Sequence, residues 1–404
     1  MITAITELVS CFQRTPVLVY RESALVKNVE SIRRSLSFSM GDRYDLFFAL
    51  KACYARPVLQ CLAKLGVGVE TMTEMEWRIA SAAGFPTSST ICNGVGRSND
   101  LLNEASRCGA HIIIDSEGEL LRLEALAAQH RIPVRLGVRL RPALDAFPGN
   151  PYASRQHKLG ISADSEVFWR MIDRIASKPF LCFETLHTHC AINETAPDVF
   201  IHVMRQLASV RQEIEQRYPT VRIGRIDLGG GWATNKTAEP TLLPMVVAIG
   251  QAFAAGFPKC RLMLEPGRFI VSDSGVVVTS VTEIKENAGR NFVFVDAGTN
   301  VLIPLPTAAY RLIWPEPTSE GLTCDIVDGI TSPANVIARD VHVQTLPRVG
   351  DRWILGDCGA YTSAMNEFWG FEPYPIWWLE GSGRLVEVLS LEQIAVARRA
   401  LLDV

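Results

Sequence analysis

Between Tyr44 and Gly267 the sequence alternates short apolar runs with longer stretches at helical spacing, and there are eight such runs. They are Phe47 to Lys51, Val67 to Thr71, Thr90 to Gly94, His111 to Asp115, Val134 to Arg141, Cys182 to Cys190, Arg225 to Gly230 and Arg261 to Gly267. Helical spacing fills the intervals, over Pro57 to Leu65, Glu74 to Ala83, Asn99 to Cys108, Gly118 to His130, Glu166 to Ser177, Pro197 to Arg217 and Thr241 to Phe257. Parallel strands need crossover connections and are covered on both faces, so this alternation marks a parallel β/α fold, and eight strands close a barrel. The expected architecture is α/β, a (β/α)8 TIM barrel over residues 26–268.

After about residue 270 the intervening helices stop. Val276 to Ile284, Asn291 to Asp296, Leu322 to Val327, Asp351 to Leu355 and Leu385 to Leu389 read as strands joined by Gly, Pro and Asp turns. Residues 1–25 and 269–404 are therefore expected to form a β-rich domain, which the strand-like Val17 to Tyr20 joins. A second domain also suits a chain of 404 residues, more than one ordinary core holds.

The formal net charge of -3 lacks the basic excess of a nucleic-acid binder. No apolar stretch reaches the ~18 residues of a membrane span, and Met1-Ile-Thr-Ala lacks the layout of a signal peptide, so a cytoplasmic protein is expected. Ten cysteines without a CxxC pair point to free thiols and to no structural metal.

Barrel active sites lie at the C-terminal ends of the strands. The residues expected there are Lys51, Glu70, Asn93, Asp115, Arg141, His187, His189, Gly229 to Gly231 and Glu265 to Arg268. Lys51 either marks where its strand meets water or, desolvated, offers a neutral amine that condenses with an aldehyde. Gly229-Gly230-Gly231 is either a tight turn or a nest of N–H groups for an anion, and Arg268 can bind a phosphate oxygen. These two stretches follow the seventh and eighth strands, the usual phosphate site of a TIM barrel. An amine opposite a phosphate cradle points to pyridoxal 5′-phosphate. Glu265 against the pyridine nitrogen would keep the ring protonated and able to hold a full carbanion, which favours decarboxylation over racemisation. His189 is placed to stack on the ring or to be a hydrogen-bonded core histidine. The Pro- and Gly-rich connection between Arg141 and Asp164 reads as a lid or binding loop.

Phe48-Ala-Leu-Lys51, Gly94-Val-Gly-Arg-Ser98, Asp115-Ser-Glu-Gly-Glu119, His157-Lys-Leu-Gly-Ile161, Leu186-His-Thr-His189, Asp227-Leu-Gly-Gly-Gly231, Glu265-Pro-Gly-Arg268, Asp296-Ala-Gly298 and Gly356-Asp-Cys-Gly-Ala-Tyr361 occur in that order along nearly the whole chain. In this it resembles the fold type III pyridoxal-phosphate decarboxylases, the diaminopimelate and ornithine decarboxylase group with an alanine racemase-like barrel. The resemblance implies Lys51 as the cofactor-binding lysine, His189 on the ring face and Glu265 on the ring nitrogen. It places Gly229, Gly230, Gly231, Arg268 and Tyr361 at the phosphate, and Glu70 and Gly267 are further expected cofactor contacts. Arg141, Thr331, Ser332, Asn335 and Trp369 are the expected substrate contacts. It also implies a head-to-tail homodimer with shared sites.

Three departures bear on the substrate. Gly329-Ile-Thr-Ser-Pro-Ala-Asn335 places Thr331 where the family has a cysteine that returns a proton, leaving that task to water, Lys51 or Cys358; Ser332 and Asn335 replace acidic residues. The arginine that diaminopimelate enzymes carry after Asp-Ala-Gly is missing from Asp296-Ala-Gly-Thr-Asn-Val-Leu-Ile-Pro304, and Ile192 stands where a phosphate-binding serine is expected. Thr331-Ser-Pro333, with Trp369-Gly-Phe371 and Trp377-Trp378 beyond it, looks closer to decarboxylases of specialised metabolism, a subgroup that includes enzymes acting on citryl-diaminopropionate intermediates of siderophores. Core packing is the other reading of the tryptophans. The expected function is an α-decarboxylase of an amino-acid-like substrate other than diaminopimelate. A racemase of the same fold and a non-catalytic cofactor-binding homologue are the alternatives.

Overall fold

The computed structural model describes residues 1–154, 156–234, 242–302, 310–365, 374–390 and 393. Two compact units make up the chain. One comprises Val29–Lys51 and Leu59–Gly267, the other Met1–Asn28, Ala52–Val58 and Arg268–Val404.

The first unit is a closed barrel. With β1 (Val17–Arg21) preceding it, the barrel strands are β2 (Tyr44–Ala49), β3 (Gly68–Thr71), β4 (Thr90–Asn93), β5 (His111–Ile114), β6 (Val134–Arg139), β7 (Leu181–His187), β8 (Arg225–Asp227) and β9 (Arg261–Leu264). Each pairs in parallel with the next, and β2 pairs with β9 to close the ring. Phe47, Ile91, Ile113 and Met263 form one buried cluster from four strands. Gly68 makes room for it, since a Cβ there would lie 2.4 Å from the Phe47 ring. At the N-terminal ends of the strands, Asp45 binds both Arg225 and Arg261 at 2.8 Å, and Glu184 binds Arg135 at 2.8 Å. Burial works to raise the Glu184 pKa, but His111 and Arg135 outweigh it and hold the carboxyl at about 2.

The connections on the opposite face share one local device. Thr73, Ser98, Ser116 and Ser165 each accept the backbone N–H three residues on, satisfying an orphan donor of the helices Glu74–Ala83, Asn99–Arg107, Glu117–His130 and Glu166–Ala176. The helix Glu22–Met40 was not expected. Its apolar stripe Leu25, Val29, Ile32 and Leu36 is fully buried, but serines and charges interrupt it and hide the period in sequence.

In the second unit β1 is central: it pairs antiparallel with β10 (Gly275–Asn287) and parallel with a strand near the C-terminus. The remaining strands are β11 (Arg290–Val295), β12 (Arg311–Trp314), β13 (Leu322–Asp328), β14 (Val336–Val343), β15 (Arg352–Gly356), β16 (Ile376–Leu379) and β17 (Leu385–Leu389). The sheet runs β14-β13-β11-β10-β1-β16-β17, and β15 joins β10 to β12. β12, β14 and β16 were not expected from sequence. Trp378 is buried in β16, and Trp377 packs against a core of Leu8, Phe12, Val17, Val19, Val276, Val278 and Ile354, so this pair is core packing. All ten cysteines are free, and no described helix is long and apolar enough to cross a membrane.

Candidate active site

The barrel unit contains a cavity of about 480 Å³ whose polar wall is Lys51, Glu70, Asn93, Arg139, His189 and Glu265. That volume lies within the range of roughly 300–1,000 Å³ typical of small-molecule sites. Met72, Val95, Tyr152 and Leu159 add apolar surface, and Lys158 adds a further cation.

Lys51 is not on its strand. β2 stops at Ala49 and Lys51 sits in the single 3-10 turn Leu50–Ala52. Its Nζ lies 2.6 Å from Glu70 Oε2, with Glu70 1% exposed on β3. Burial raises the Glu70 pKa, and the Lys51 charge opposes that without cancelling it. A proton on Nζ therefore has a nearby acceptor of raised basicity.

Asp227 ends β8, Gly229, Gly230 and Gly231 follow it, and Glu265 follows β9. The Gly229 N–H donates to Asp227 Oδ1 at 2.9 Å, and the Gly230 N–H donates to His189 Nδ1 at 3.2 Å. Two of the three N–H groups expected to face an anion are thus engaged within the protein, and what the trio supplies first is room. A Cβ at Gly230 would lie 2.3 Å from the Glu265 carbonyl oxygen, and one at Gly231 2.1 Å from that of Ala191, where φ is also +88°. Gly231→Ala is expected to cost roughly 1–3 kcal/mol through overpacking and a left-handed backbone. It should weaken cofactor binding in parallel; thermal unfolding and cofactor titration check both, and an unchanged protein would show that the loop relaxes freely.

His189 accepts at Nδ1, so its ring is neutral with the proton on Nε2; burial, then Arg139 and Lys51, hold its pKa well below the ordinary value. The edge of Tyr152 meets this ring at 5.3 Å between centroids, and Tyr152 also packs on His157 at 4.8 Å. The loop carrying both is fixed by Asn150 Nδ2 donating to the Cys190 carbonyl at 2.8 Å and by the Gly160 N–H donating to Asp115 Oδ1 at 2.6 Å. Glu265 is 4% exposed, and its Oε1 has no hydrogen-bond partner.

Lys51, Glu70, His189 and Glu265 are thus brought to one cavity. Arg141 is not in its wall: β6 ends at Arg139, Leu140 bridges to Ile161, and Arg139 takes the position expected of Arg141. The two arginines are two residues apart and share a face in strand period, so only the strand end decides between them. Gly267 is buried two residues past Glu265. In the other unit, the Arg268 guanidinium lies 5.0 Å from the centre of the Tyr361 ring, and Tyr361 has a left-handed φ of 66°. Thr331, Ser332 and Asn335 lie between β13 and β14; Thr331 is exposed, and Asn335 Nδ2 donates to Thr299 Oγ1 at 2.8 Å and to Asp328 Oδ2 at 3.3 Å. Trp369 lies outside the described residues. Cys358 is fully enclosed, its thiol donating to the Gly356 carbonyl at 3.2 Å, and burial pushes it well above an ordinary thiol pKa. That removes it as a proton donor to substrate.

Sequence reasoning named neither Arg139 nor Tyr152 and Lys158 as cavity residues. The His157-Lys-Leu-Gly-Ile161 motif was the available signal for the last of these.

The donor set fits pyridoxal 5′-phosphate: an amine against a basic carboxylate, an orphaned buried carboxylate oxygen for a ring N–H, and a close-packed glycine turn. The family profile described as the pyridoxal-binding domain of pyridoxal-dependent decarboxylases matches residues 23–272. A probable chloroplastic diaminopimelate decarboxylase of Oryza sativa subsp. japonica is 28% identical over 390 residues, covering 93% of this chain and 77% of that one. The crystal structure of a diaminopimelate decarboxylase from M. jannaschi superposes with a TM-score of 0.87 at 21% identity, covering 97% of this chain and 93% of that one. That of Helicobacter pylori, complexed with L-lysine, gives 0.85 at 23%, covering 98% and 100%. On the match of its barrel to the family profile, this chain belongs to the pyridoxal-dependent decarboxylases, carboxy-lyases that work with pyridoxal 5′-phosphate.

Proposed function

We propose that this enzyme is an α-decarboxylase of an amino-acid-derived substrate other than diaminopimelate, with a polycarboxylate such as citryl-diaminopropionate as the first candidate. The observation that carries the reaction type is that Lys51 and the buried acid Glu265 line one cavity. When bound, pyridoxal 5′-phosphate supplies an electron sink for the pair left at Cα as CO2 departs. Lys51 holds the cofactor's aldehyde end, and Glu70 takes the proton from Nζ to free the amine as a nucleophile. Glu265 accepts the hydrogen bond of the ring nitrogen. His189, neutral, offers its ring face, and Tyr152 with Leu159 limits water. By resemblance, Gly231, Arg268 and Tyr361 are assigned to the phosphate; the placing of the Arg268 guanidinium over the Tyr361 ring supports that assignment for the last pair.

Two observations support the substrate class. Arg139 and Lys158 are cations of the cavity, suited to carboxylates of a substrate beyond the one that leaves. Ser332 and Asn335 supply no acid for a distal ammonium group, and the Asn335 amide is already engaged by Thr299 and Asp328. We also read the enzyme as a cytoplasmic homodimer, supported by the exposure of Thr331, Pro333 and Ala334 on the segment that reaches the partner's site in the resembled family.

Purified holoenzyme should release CO2 from citryl-diaminopropionate faster than from diaminopimelate, ornithine, lysine or arginine. Preference for diaminopimelate would refute the substrate class. Inversion at Cα without CO2 release, read by chiral chromatography, would refute the reaction.

A further inference from the structure

Glu265 does not stand alone behind the cavity wall. One polar atom each of Glu265, Asp227 and His187 lies within 4.8 Å of the others, and the three side chains are buried. Asp227 uses Oδ1 to accept the Gly229 N–H, while no N–H or O–H donor reaches its buried Oδ2, and the Asp227 and Glu265 side chains are within hydrogen-bond reach of each other. His187 Nε2 lies 3.1 Å from the Asn93 amide nitrogen and 3.7 Å from Glu265 Oε2. An amide nitrogen only donates, so Nε2 accepts, and the ring is neutral with its proton on Nδ1. Burial, then Arg139 and Lys51, lower the His187 pKa in the same sense. The neutral imidazole gives the two carboxylates no counter-charge.

Two carboxyl groups this close and this dry do not both ionise. Which one keeps the proton follows from what faces each. The charges of Lys51 and Arg139 act on Glu265 and favour its anion, whereas the charges reaching Asp227 are those of Glu265 and Glu70 and favour its neutral form. Burial raises both pKa values, and Asp227 goes well above the ordinary carboxylate range.

We propose that Asp227 is a positioning residue that carries the one proton of this pair, so that Glu265, a residue of the cavity wall, stays ionised for a protonated ring nitrogen. The inference rests on the assignment of Glu265 to the ring nitrogen, and it makes a counter-intuitive demand on substitution. Asparagine has the shape of a protonated aspartate: its oxygen accepts the Gly229 N–H and its amide donates where the acid's O–H did.

The test compares wild type, Asp227→Asn and Glu265→Gln for pyridoxal 5′-phosphate affinity and for the absorbance of the bound cofactor, from about pH 6 to about pH 10. Asp227→Asn is expected to bind within about threefold of wild type and to lack any alkaline transition of the pair, whereas Glu265→Gln weakens binding by about ten- to a hundredfold through loss of a charged hydrogen bond. Weakening of Asp227→Asn to the level of Glu265→Gln would overturn the proposal, because Asp227 would then act as an anion. Unchanged binding in Glu265→Gln would overturn the ring-nitrogen assignment and the proposal with it. Wild-type holoenzyme carrying carboxyl-labelled aspartate gives a second readout should asparagine at 227 prevent folding. An infrared C=O stretch of a protonated acid must shift with the label, and its failure to shift overturns the proposal.

Discussion

Lys51→Ala is expected to fold and to lose at least about 10³-fold in CO2 release, with loss of the absorbance band of the bound cofactor. The geometry behind this is the 2.6 Å contact of Nζ with Glu70, which both places the amine in the cavity and offers its proton an acceptor. Removing Lys51 leaves Glu70 at 1% exposure without its cation. Glu70 answers by protonating, since burial already raises its pKa, so the fold survives where a strongly acidic group would have been stranded. Lys51→Arg separates charge from chemistry: it keeps a cation beside Glu70 but presents no amine able to condense, and it should be as inactive as the alanine variant while more stable. Turnover of either variant within tenfold of wild type would remove Lys51 from the mechanism.

Arg97→Met should be the most destabilising single change in the barrel, by about 3–5 kcal/mol in denaturant unfolding. Arg97 reaches Glu119 through two parallel bonds of 2.9 and 2.6 Å, with both side chains at most 2% exposed. Its remaining N–H groups bind the Cys92 and Ile113 carbonyls. The pair therefore ties the ends of β4 and β5, and Asn93, Gly94 and Val95 next to it line the cavity. Loss of the guanidinium strands two carbonyls and leaves the buried Glu119 carboxylate to the more distant Arg122, at 3.9 Å. The double variant Arg97→Met/Glu119→Met removes the stranded charge and is expected to recover much of the loss. A single-variant cost below about 1 kcal/mol would mean that Arg122, 3.9 Å from Glu119, or water replaces the lost guanidinium.

Arg97 and Glu119 also show how far the sequence could be read. Both fall in motifs that resemble family segments, yet nothing in their spacing says that they meet. The barrel was legible because its evidence is local: eight apolar runs at strand length and helices at 3.6-residue spacing. The glycine trio, Lys51 and Glu265 were legible as strand-end residues for the same reason. Where local pattern was diluted, the reading failed, as in the serine-interrupted helix Glu22–Met40, the short strands β12 and β16, and the stop of β6 at Arg139.

The sequence alone determined the order of the elements, the closed barrel and the chemical types gathered at its C-terminal mouth, since these follow from periodicity and from the rule that barrel sites collect at strand ends. Tertiary structure decided what those groups do to one another. Parallel pairing of β2 with β3, β7 with β8 and β8 with β9 aligns the strand ends, and only then does Glu70 meet Lys51, the Gly230 N–H turn to His189 rather than outward, and Asp227 stand beside Glu265. Enclosure likewise settled that Cys358 is shut away and that Trp378 is core. Charge state and donor availability depend on distances of a few ångströms between residues far apart in the chain, and no local pattern encodes them.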